Sequence, residues 1–262
     1  MKPLKVLIAC EESQAVTKEF RKLGHQAYSC DLLPCSGGHP EWHFQDDALE
    51  IADGWFDSNE VTISNTFDLK LDVFSGDEEF EYKEHRIRQI GWKWDLMIAH
   101  PPCTYLAVSG ARWLYNKDGS KNEERLANQS EALDFVQKLM DAPINKIAIE
   151  NPVSVISSNI RKPEQIIQPW MFGDKAQKTT CLWLKNLPLL EATDIVEKGE
   201  IIEFISKKGV KKRQPKWYLD ALKKAKTTEE RRTLRSKTFK GIAEAMAKQW
   251  TIENPCTQLN LF

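Results

Sequence analysis

The strongest constraint on the fold is a series of short apolar runs separated by amphipathic segments of helical length. The first apolar run covers residues 6–10, and the helical pattern over residues 13–23 ends at Gly24. A second strand, ending in an acid, is predicted over residues 26–31. Continuous apolar runs of this length are typical of strands buried on both faces, and strands that alternate with helices form parallel sheets. The sequence therefore predicts an α/β fold with a doubly wound, mainly parallel sheet.

The same alternation continues through the rest of the chain. Further strands are predicted over residues 94–100, 146–150, 180–184 and 201–205. A helix is predicted over residues 122–140, and an amphipathic helix ends the pattern over residues 238–250. The acidic stretch between residues 53 and 92 has no regular period, so we expect loops or insertions there.

Composition excludes several classes of protein. With 41% hydrophobic and 29% charged residues, the chain is typical of a globular protein. No stretch approaches the ~20 apolar residues of a membrane helix, and the run at residues 6–10 is too short for a signal peptide. Six cysteines without a CxxC pair indicate a reducing compartment, so we expect a cytoplasmic protein. The four histidines before residue 90 lack the spacing of a zinc site, so we expect no metal.

The net charge of −1 hides two opposite charge clusters. Residues 1–90 carry 9 Lys and Arg against 18 Asp and Glu, a balance of −9. Residues 205–240 carry 14 Lys and Arg against 3 Asp and Glu, a balance of +11. A compact basic segment is typical of a surface that binds a polyanion, most often nucleic acid. A solvated helix gives the same charge pattern, so charge alone leaves both interpretations open.

Acidic and thiol-bearing residues follow the predicted strands, at the edge where ligands of such sheets bind. In chain order they are Cys10, Glu11, Glu12, Asp31, Cys103, Glu150 and Asn151. A thiol held rigidly by the two prolines before Cys103 can act as a nucleophile. A carboxyl group with an apolar strand behind it, such as Glu150, can have its pKa raised and donate a proton. Each feature alone is more often structural.

Together, Pro102-Cys103 and Glu150-Asn151 resemble the motifs of the DNA cytosine-5 methyltransferase family. The segments over residues 99–104 and 238–243 are similar to those of its compact, phage-type relatives. The resemblance implies a Rossmann-like methyltransferase fold in which Cys103 is the nucleophile and Glu150 the acid. The implied reaction is transfer of a methyl group to C5 of cytosine in DNA, through addition of the Cys103 thiolate to C6.

The resemblance also implies S-adenosylmethionine as the cofactor and a set of residues that bind it. The set is Cys10, Glu11, Glu12, Ser13, Asp31, Asp47 and Pro101. Asp31 is expected to hold the ribose hydroxyls, and Asp47 to lie near the adenine. The family's first loop is rich in glycine, whereas residues 10–14 contain none, so this chain must hold the cofactor by different contacts.

The remaining site residues implied by the resemblance concern the flipped base. Asn151 and Lys178 are expected to hold the base and the Cys103 loop, and residues 104–115 to close over it. The basic side chains expected to contact DNA are Lys207, Lys208, Lys211, Lys212 and Arg213. We expect residues 1–185 with 236–252 to form the catalytic domain, and residues 186–235 to form a reduced target-recognition region.

Residues 253–262 form a tail whose end resembles the peptide that binds bacterial sliding clamps. The matching residues are Gln258, Leu259, Leu261 and Phe262. Packing of this segment on the protein's own core is the equal alternative.

Two other functions remain open at this point. One keeps the fold and thiol chemistry but acts on a free cytidine nucleotide or uses another one-carbon donor. The other is a catalytically silent protein that binds DNA and a clamp. The presence of both Cys103 and Glu150 argues against the silent protein, and the basic segment argues against a mononucleotide.

Overall fold

A computed structural model describes residues 2–57, 79–206, 209–227, 230, 231, 234, 236 and 238–252. Its strands are β1 (Lys5–Ala9), β2 (Gln26–Cys30), β3 (His43–Phe44), β4 (Phe56–Asp57), β5 (Phe80–Lys83), β6 (Arg86–Gln89), β7 (Leu96–Ala99), β8 (Lys146–Asn151), β9 (Gln165–Ile167), β10 (Thr180–Lys185), β11 (Ile201–Ile205) and β12 (Lys211–Pro215). Its helices are α1 (Ala15–Lys22), α2 (Ala48–Ala52), α3 (Glu123–Asp141), α4 (Ile156–Asn159), α5 (Lys216–Lys224) and α6 (Lys240–Trp250).

The central sheet has seven strands in the order β3-β2-β1-β7-β8-β10-β9. The pairs from β3 to β8 are parallel, and β10 is antiparallel to both of its neighbours. Without β10 the order is that of a doubly wound, nucleotide-binding sheet. The predicted α/β class with a mainly parallel sheet is therefore confirmed.

Both faces of this sheet are covered, which explains the continuous apolar runs. In β1, Leu7 and Ala9 face the core beneath α2 and α3, whereas Val6 and Ile8 face α1 and α6. The second core includes Phe20 of α1 and the apolar side of α6, so the last helix of the chain packs beside the first. Because side chains alternate along a strand, burial on both faces requires apolar residues at every position.

Gly241 lets the start of α6 approach the chain very closely. A Cβ atom there would lie 1.7 Å from the main-chain oxygen of Phe172, a distance that no side chain can occupy. The Gly241 N–H donates a hydrogen bond to Asp174 Oδ2 at 3.0 Å. The glycine in the segment over residues 238–243 therefore has a packing role.

The interval between residues 53 and 92, for which loops or insertions are expected, holds an insertion in its described part. Its described part contains a three-stranded antiparallel sheet in the order β4-β6-β5. Asp46 and the guanidinium of Arg86 form an ion pair that links this small sheet to the chain after β3. The strand predicted over residues 94–100 is observed as the shorter β7, Leu96–Ala99, and before it the Trp94 indole N–H donates to the Ile51 oxygen at 2.8 Å.

The region after β10 begins with irregular chain and continues into the antiparallel hairpin β11–β12 and helix α5. The strand predicted over residues 201–205 is confirmed as β11. Within the described residues, no helix is both long and apolar enough to span a membrane.

Candidate active site at the ends of β7 and β8

The carboxyl ends of β7 and β8 bring two ionisable side chains into contact. These strands are parallel neighbours in which Ala99 lies beside Ile149, so the residues that follow are also neighbours. His100 Nδ1 lies 2.9 Å from Glu150 Oε2, and the two side chains are only 12% and 11% exposed. Sequence analysis missed His100, although its position directly after a buried strand was the signal that could have revealed it.

The electrostatic environment favours the charged forms of both His100 and Glu150. Burial opposes the charge of Glu150, but the hydrogen bond with His100 and the charges of Lys178 and His100 outweigh it and lower the pKa of Glu150. Burial likewise opposes the charge of His100, but the hydrogen bond with Glu150 and the charges of Glu150 and Glu11 raise the pKa of His100. The raised pKa expected for Glu150 is therefore wrong, because the apolar strand pattern did not reveal the imidazole beside it.

Cys103 follows β7 on a segment that is bonded to the chain after β8. The side-chain Nδ2 of buried Asn151 donates to the Pro101 oxygen at 2.8 Å. Farther along, the Val155 N–H donates to the Leu106 oxygen at 2.9 Å. Cys103 itself is partly exposed. These bonds hold the thiol-bearing segment and the Glu150 segment at one edge of the sheet.

Lys178 connects the site with the C-terminal part of the chain. Its charge acts on both Glu150 and His100, and its Nζ donates to the Ser236 oxygen at 3.3 Å. The preceding residue, Gln177, accepts a hydrogen bond at its main-chain oxygen from the Trp217 indole N–H at 3.0 Å. The structure thus brings Lys178 to Glu150, and it links the same loop to α5.

Several buried polar atoms at this edge have no hydrogen-bond partner among the described residues. They include His100 Nε2, Asn151 Oδ1 and Ser154 Oγ. Leaving a buried polar atom unpaired costs about 1–3 kcal/mol, so these atoms are candidates to bond a ligand. Ser154 was not singled out in the sequence, since a serine two residues after a proline carries no distinctive pattern.

The sheet order reverses between β1 and β7, which is where nucleotide ligands of such sheets bind. The loop after β1 has two non-glycine residues in the left-handed region, Cys10 at φ 59° and Gln14 at φ 55°. Glu11 turns back onto α1, where its carboxylate accepts hydrogen bonds from the Val16 N–H and the Thr17 hydroxyl, both at 2.7 Å. Glu11 therefore caps α1.

Side chains, rather than glycines, shape the rest of this loop. Gln14 is fully buried, donates from Nε2 to the His39 oxygen at 2.7 Å and accepts from the His39 N–H at 3.1 Å. The Ser36 N–H donates to the Glu12 oxygen at 2.8 Å. Ser13 lies between Glu12 and Gln14, so its backbone is held against the loop over residues 36–39.

The predicted acidic residues gather at the same crevice. Burial and the negative charges of Asp31 and Asp47 raise the pKa of Cys10, so this thiol stays protonated. Asp31 accepts from the Leu33 N–H at 2.9 Å, and Asp47 caps α2 through the Leu49 N–H at 2.8 Å. One oxygen of each carboxylate therefore accepts a hydrogen bond from the protein's own backbone.

The basic residues expected to contact DNA are only partly described. Lys207 and Lys208 lie outside the described residues. Lys211, Lys212 and Arg213 are exposed on β12. Lys211 and Arg213 pair with Glu203 of β11 at 2.8 Å and 3.1 Å. These two cations are therefore partly neutralised by the neighbouring strand.

The other predicted features have different outcomes. In the segment over residues 104–115, Val108–Leu114 forms a short 3-10 helix without buried residues. The residues predicted to bind a sliding clamp, Gln258, Leu259, Leu261 and Phe262, lie outside the described residues. Within the ranges that the structure describes, no group of three or more side chains is placed to hold a metal ion.

Comparison with known proteins does not assign a family. No protein-family model matches the chain, and no curated protein is significantly similar to it. Function is therefore inferred from the residues and their geometry.

Replacing Glu11 with alanine tests its role as a helix cap. We expect Glu11→Ala to lower the free energy of unfolding by about 2 kcal/mol, since the first turn of α1 loses its acceptors. Urea denaturation monitored by circular dichroism measures this loss. The neighbouring Glu12→Ala is the control, with an expected change within about 0.5 kcal/mol. Equal stability of the two variants would show that Glu11 does not support α1.

Proposed function

We propose that the protein transfers a methyl group from S-adenosylmethionine to C5 of cytosine in DNA, through a covalent adduct with Cys103. The observation that carries this proposal is the hydrogen bonding of the Cys103 segment to the Glu150 segment. The His100–Glu150 and Asn151–Pro101 bonds fix these segments at adjacent strand ends. A nucleophile and an acid that act on one base must be held in this way.

The chemistry requires both groups because C5 of cytosine is too electron-poor to take a methyl group directly. Addition of the Cys103 thiolate to C6, with a proton passing from Glu150 to N3, turns C5 into an enamine carbon. S-adenosylmethionine supplies the electrophilic methyl group when it is bound. Loss of the C5 proton then breaks the C6–S bond and releases the thiolate of Cys103.

The crevice beside β1 fits a cofactor without phosphates. In dinucleotide-binding sheets the pyrophosphate sits on the free N–H groups at the start of the first helix. Here the Glu11 carboxylate takes the N–H of Val16 at 2.7 Å, so a phosphate would meet a negative charge. The nearby carboxylates of Asp31 and Asp47 suit hydroxyl groups and a cationic ligand instead. These residues support an adenosyl sulfonium cofactor, with Glu12, Ser13 and Pro101 along the same edge.

Duplex DNA is the favoured substrate because of the basic hairpin and its connection to the site. Flipping a base out of a duplex costs a few kcal/mol, which phosphate contacts can offset. Exposed cations on β12 provide such contacts, and Trp217 of α5 is bonded to the residue before Lys178. This supports residues 186–235 as a small target-recognition region beside a catalytic domain of residues 1–185 and 236–252.

A methylation assay tests the proposed reaction. Purified protein is incubated with methyl-labelled S-adenosylmethionine and either duplex DNA or dCMP. We expect label in DNA, and we expect Cys103→Ser to reduce it at least about 100-fold, since the hydroxyl is a far weaker nucleophile. Cys35→Ser is the matched control and should retain activity.

The other outcomes of this assay separate the alternatives. Label in dCMP alone would indicate a nucleotide-modifying enzyme with the same thiol chemistry. Absence of label from both substrates, with DNA binding intact, would indicate a catalytically silent DNA-binding protein. Equal labelling of DNA by wild type and Cys103→Ser would rule out the covalent mechanism.

Charge changes on the hairpin test DNA binding. Replacing Lys211, Lys212 and Arg213 with alanine is expected to weaken duplex binding about tenfold at low salt and to flatten its salt dependence. Glu203→Gln should tighten binding about twofold, because it frees two cations. Fluorescence anisotropy over a salt series measures both effects, with Lys138→Glu on α3 as the control. Equal affinities of the wild type, the triple alanine variant, Glu203→Gln and Lys138→Glu would show that DNA does not bind at this hairpin.

We also propose that the C-terminal residues bind a bacterial sliding clamp. The sequence motif alone supports this, through Gln258, Leu259, Leu261 and Phe262. Deleting residues 258–262 is expected to abolish capture of the protein by an immobilised clamp and to leave methylation of short duplexes unchanged. Unchanged capture would refute clamp binding through this motif. Reduced methylation would favour packing of residues 258–262 on the protein's own core.

A further inference from the structure

The proposed reaction needs a proton that Glu150 in its resting state does not carry. Burial disfavours the charged form of Glu150, but the hydrogen bond with His100 and the charges of Lys178 and His100 outweigh it and lower the pKa of Glu150. A carboxylate accepts protons and cannot protonate the N3 atom of cytosine. The proton must therefore reach Glu150 from a neighbouring group when the base is bound.

We propose that His100 stores this proton and passes it to Glu150 during the reaction. The inference rests on the proposed cytosine methylation and adds a residue to it. The structure supports it through the 2.9 Å contact between His100 Nδ1 and Glu150 Oε2 in a site that is almost closed to solvent. The hydrogen bond from Asn151 Nδ2 to the Pro101 oxygen joins the residues that follow them and holds the His100 ring beside the Glu150 carboxylate.

The transfer balances with one proton and no change in oxidation state. The Nδ1–H bond of the His100 imidazolium breaks and an O–H bond forms at Glu150, leaving neutral imidazole and carboxylic acid. That acid gives its proton to N3 as the Cys103 thiolate adds to C6. When the C5 proton leaves to bulk base and the thiolate is expelled, the N3 proton returns to Glu150 and then to His100.

Other charged groups facing the pair determine how it titrates. Glu11 from the loop after β1 raises the pKa of His100, whereas Lys178 from the segment before β10 lowers it. Burial and the charge of Glu150 raise the pKa of the Cys181 thiol on the neighbouring strand β10. Glu11 and Glu150 together outweigh Lys178 and burial, so His100 holds its proton to higher pH than a free histidine.

The second ring nitrogen of His100 supports a role at the ligand. His100 Nε2 is buried and has no hydrogen-bond partner among the described residues. An imidazolium places a donor N–H at this atom, and a carbonyl oxygen of the bound base would satisfy it. A histidine with a purely structural role would be expected to use both nitrogens within the protein.

The test compares His100→Asn with the wild type in the DNA methylation assay across pH. The asparagine amide replaces Nδ1 as a donor to Glu150 but holds no transferable proton. We expect kcat to fall about 10- to 100-fold with KM for DNA within about twofold. We also expect the alkaline limb of the kcat profile to move at least about one pH unit to lower pH, since Glu150 must then hold the proton alone.

Two further measurements keep the outcomes distinct. His25→Asn is the control, a buried histidine whose Nδ1 accepts from the Leu4 N–H, and it should leave the limb in place. NMR titration of the His100 ring should give a pKa above about 6.5 in the wild type and a lower one in Glu150→Gln, whatever the activity. A neutral His100 at the assay pH would overturn the proposal.

The kinetic outcomes separate this inference from the proposed function. If the wild type is active and the alkaline limb of the kcat–pH profile lies at the same pH in His100→Asn, the role of His100 is overturned, whereas cytosine methylation is retained. A wild type that binds DNA but labels no cytosine would refute methylation and, with it, the role of His100.

Discussion

The parallel pairing of β7 with β8 is the constraint on which the candidate site depends. With Ala99 beside Ile149, the pairing places His100 next to Glu150 and leads directly into the Pro101–Asn151 hydrogen bond. A slip of one residue would turn every side chain of the strand to the other face and separate the pair. The apolar core that covers both faces therefore also determines the geometry of the polar edge.

The α/β architecture could be predicted because its cause is local in the sequence. Strands covered on both faces need continuous apolar runs, and the runs at β1, β7 and β8 are such runs. Strand order is not local, and it decides which residues become neighbours. For this reason the sequence of β8 indicates Glu150, whereas it does not indicate His100, which lowers the pKa of Glu150.

The loop after β1 shows a second limit of sequence reasoning. A glutamate that faces a cofactor and one that turns back to cap a helix have the same sequence context. Only the contacts of Glu11 with Val16 and Thr17 separate the two interpretations. Gln14 shows the same point, because a buried glutamine can fix a loop by hydrogen bonding where glycine would fix it by close approach.

The two outer strands of the central sheet bear on how copies of this protein meet one another. An exposed strand edge presents unpaired N–H and C=O groups that can join the sheet of a neighbouring molecule. One edge here is the two-residue β3 and the other is the three-residue β9. Beside β9, the Gln165 side chain bonds both main-chain groups of Leu190, at 2.8 Å and 2.7 Å. The chain that follows β10 thus covers the β9 edge. The short edge strands of the described sheet therefore leave few unpaired backbone groups through which copies of the protein could associate edge to edge.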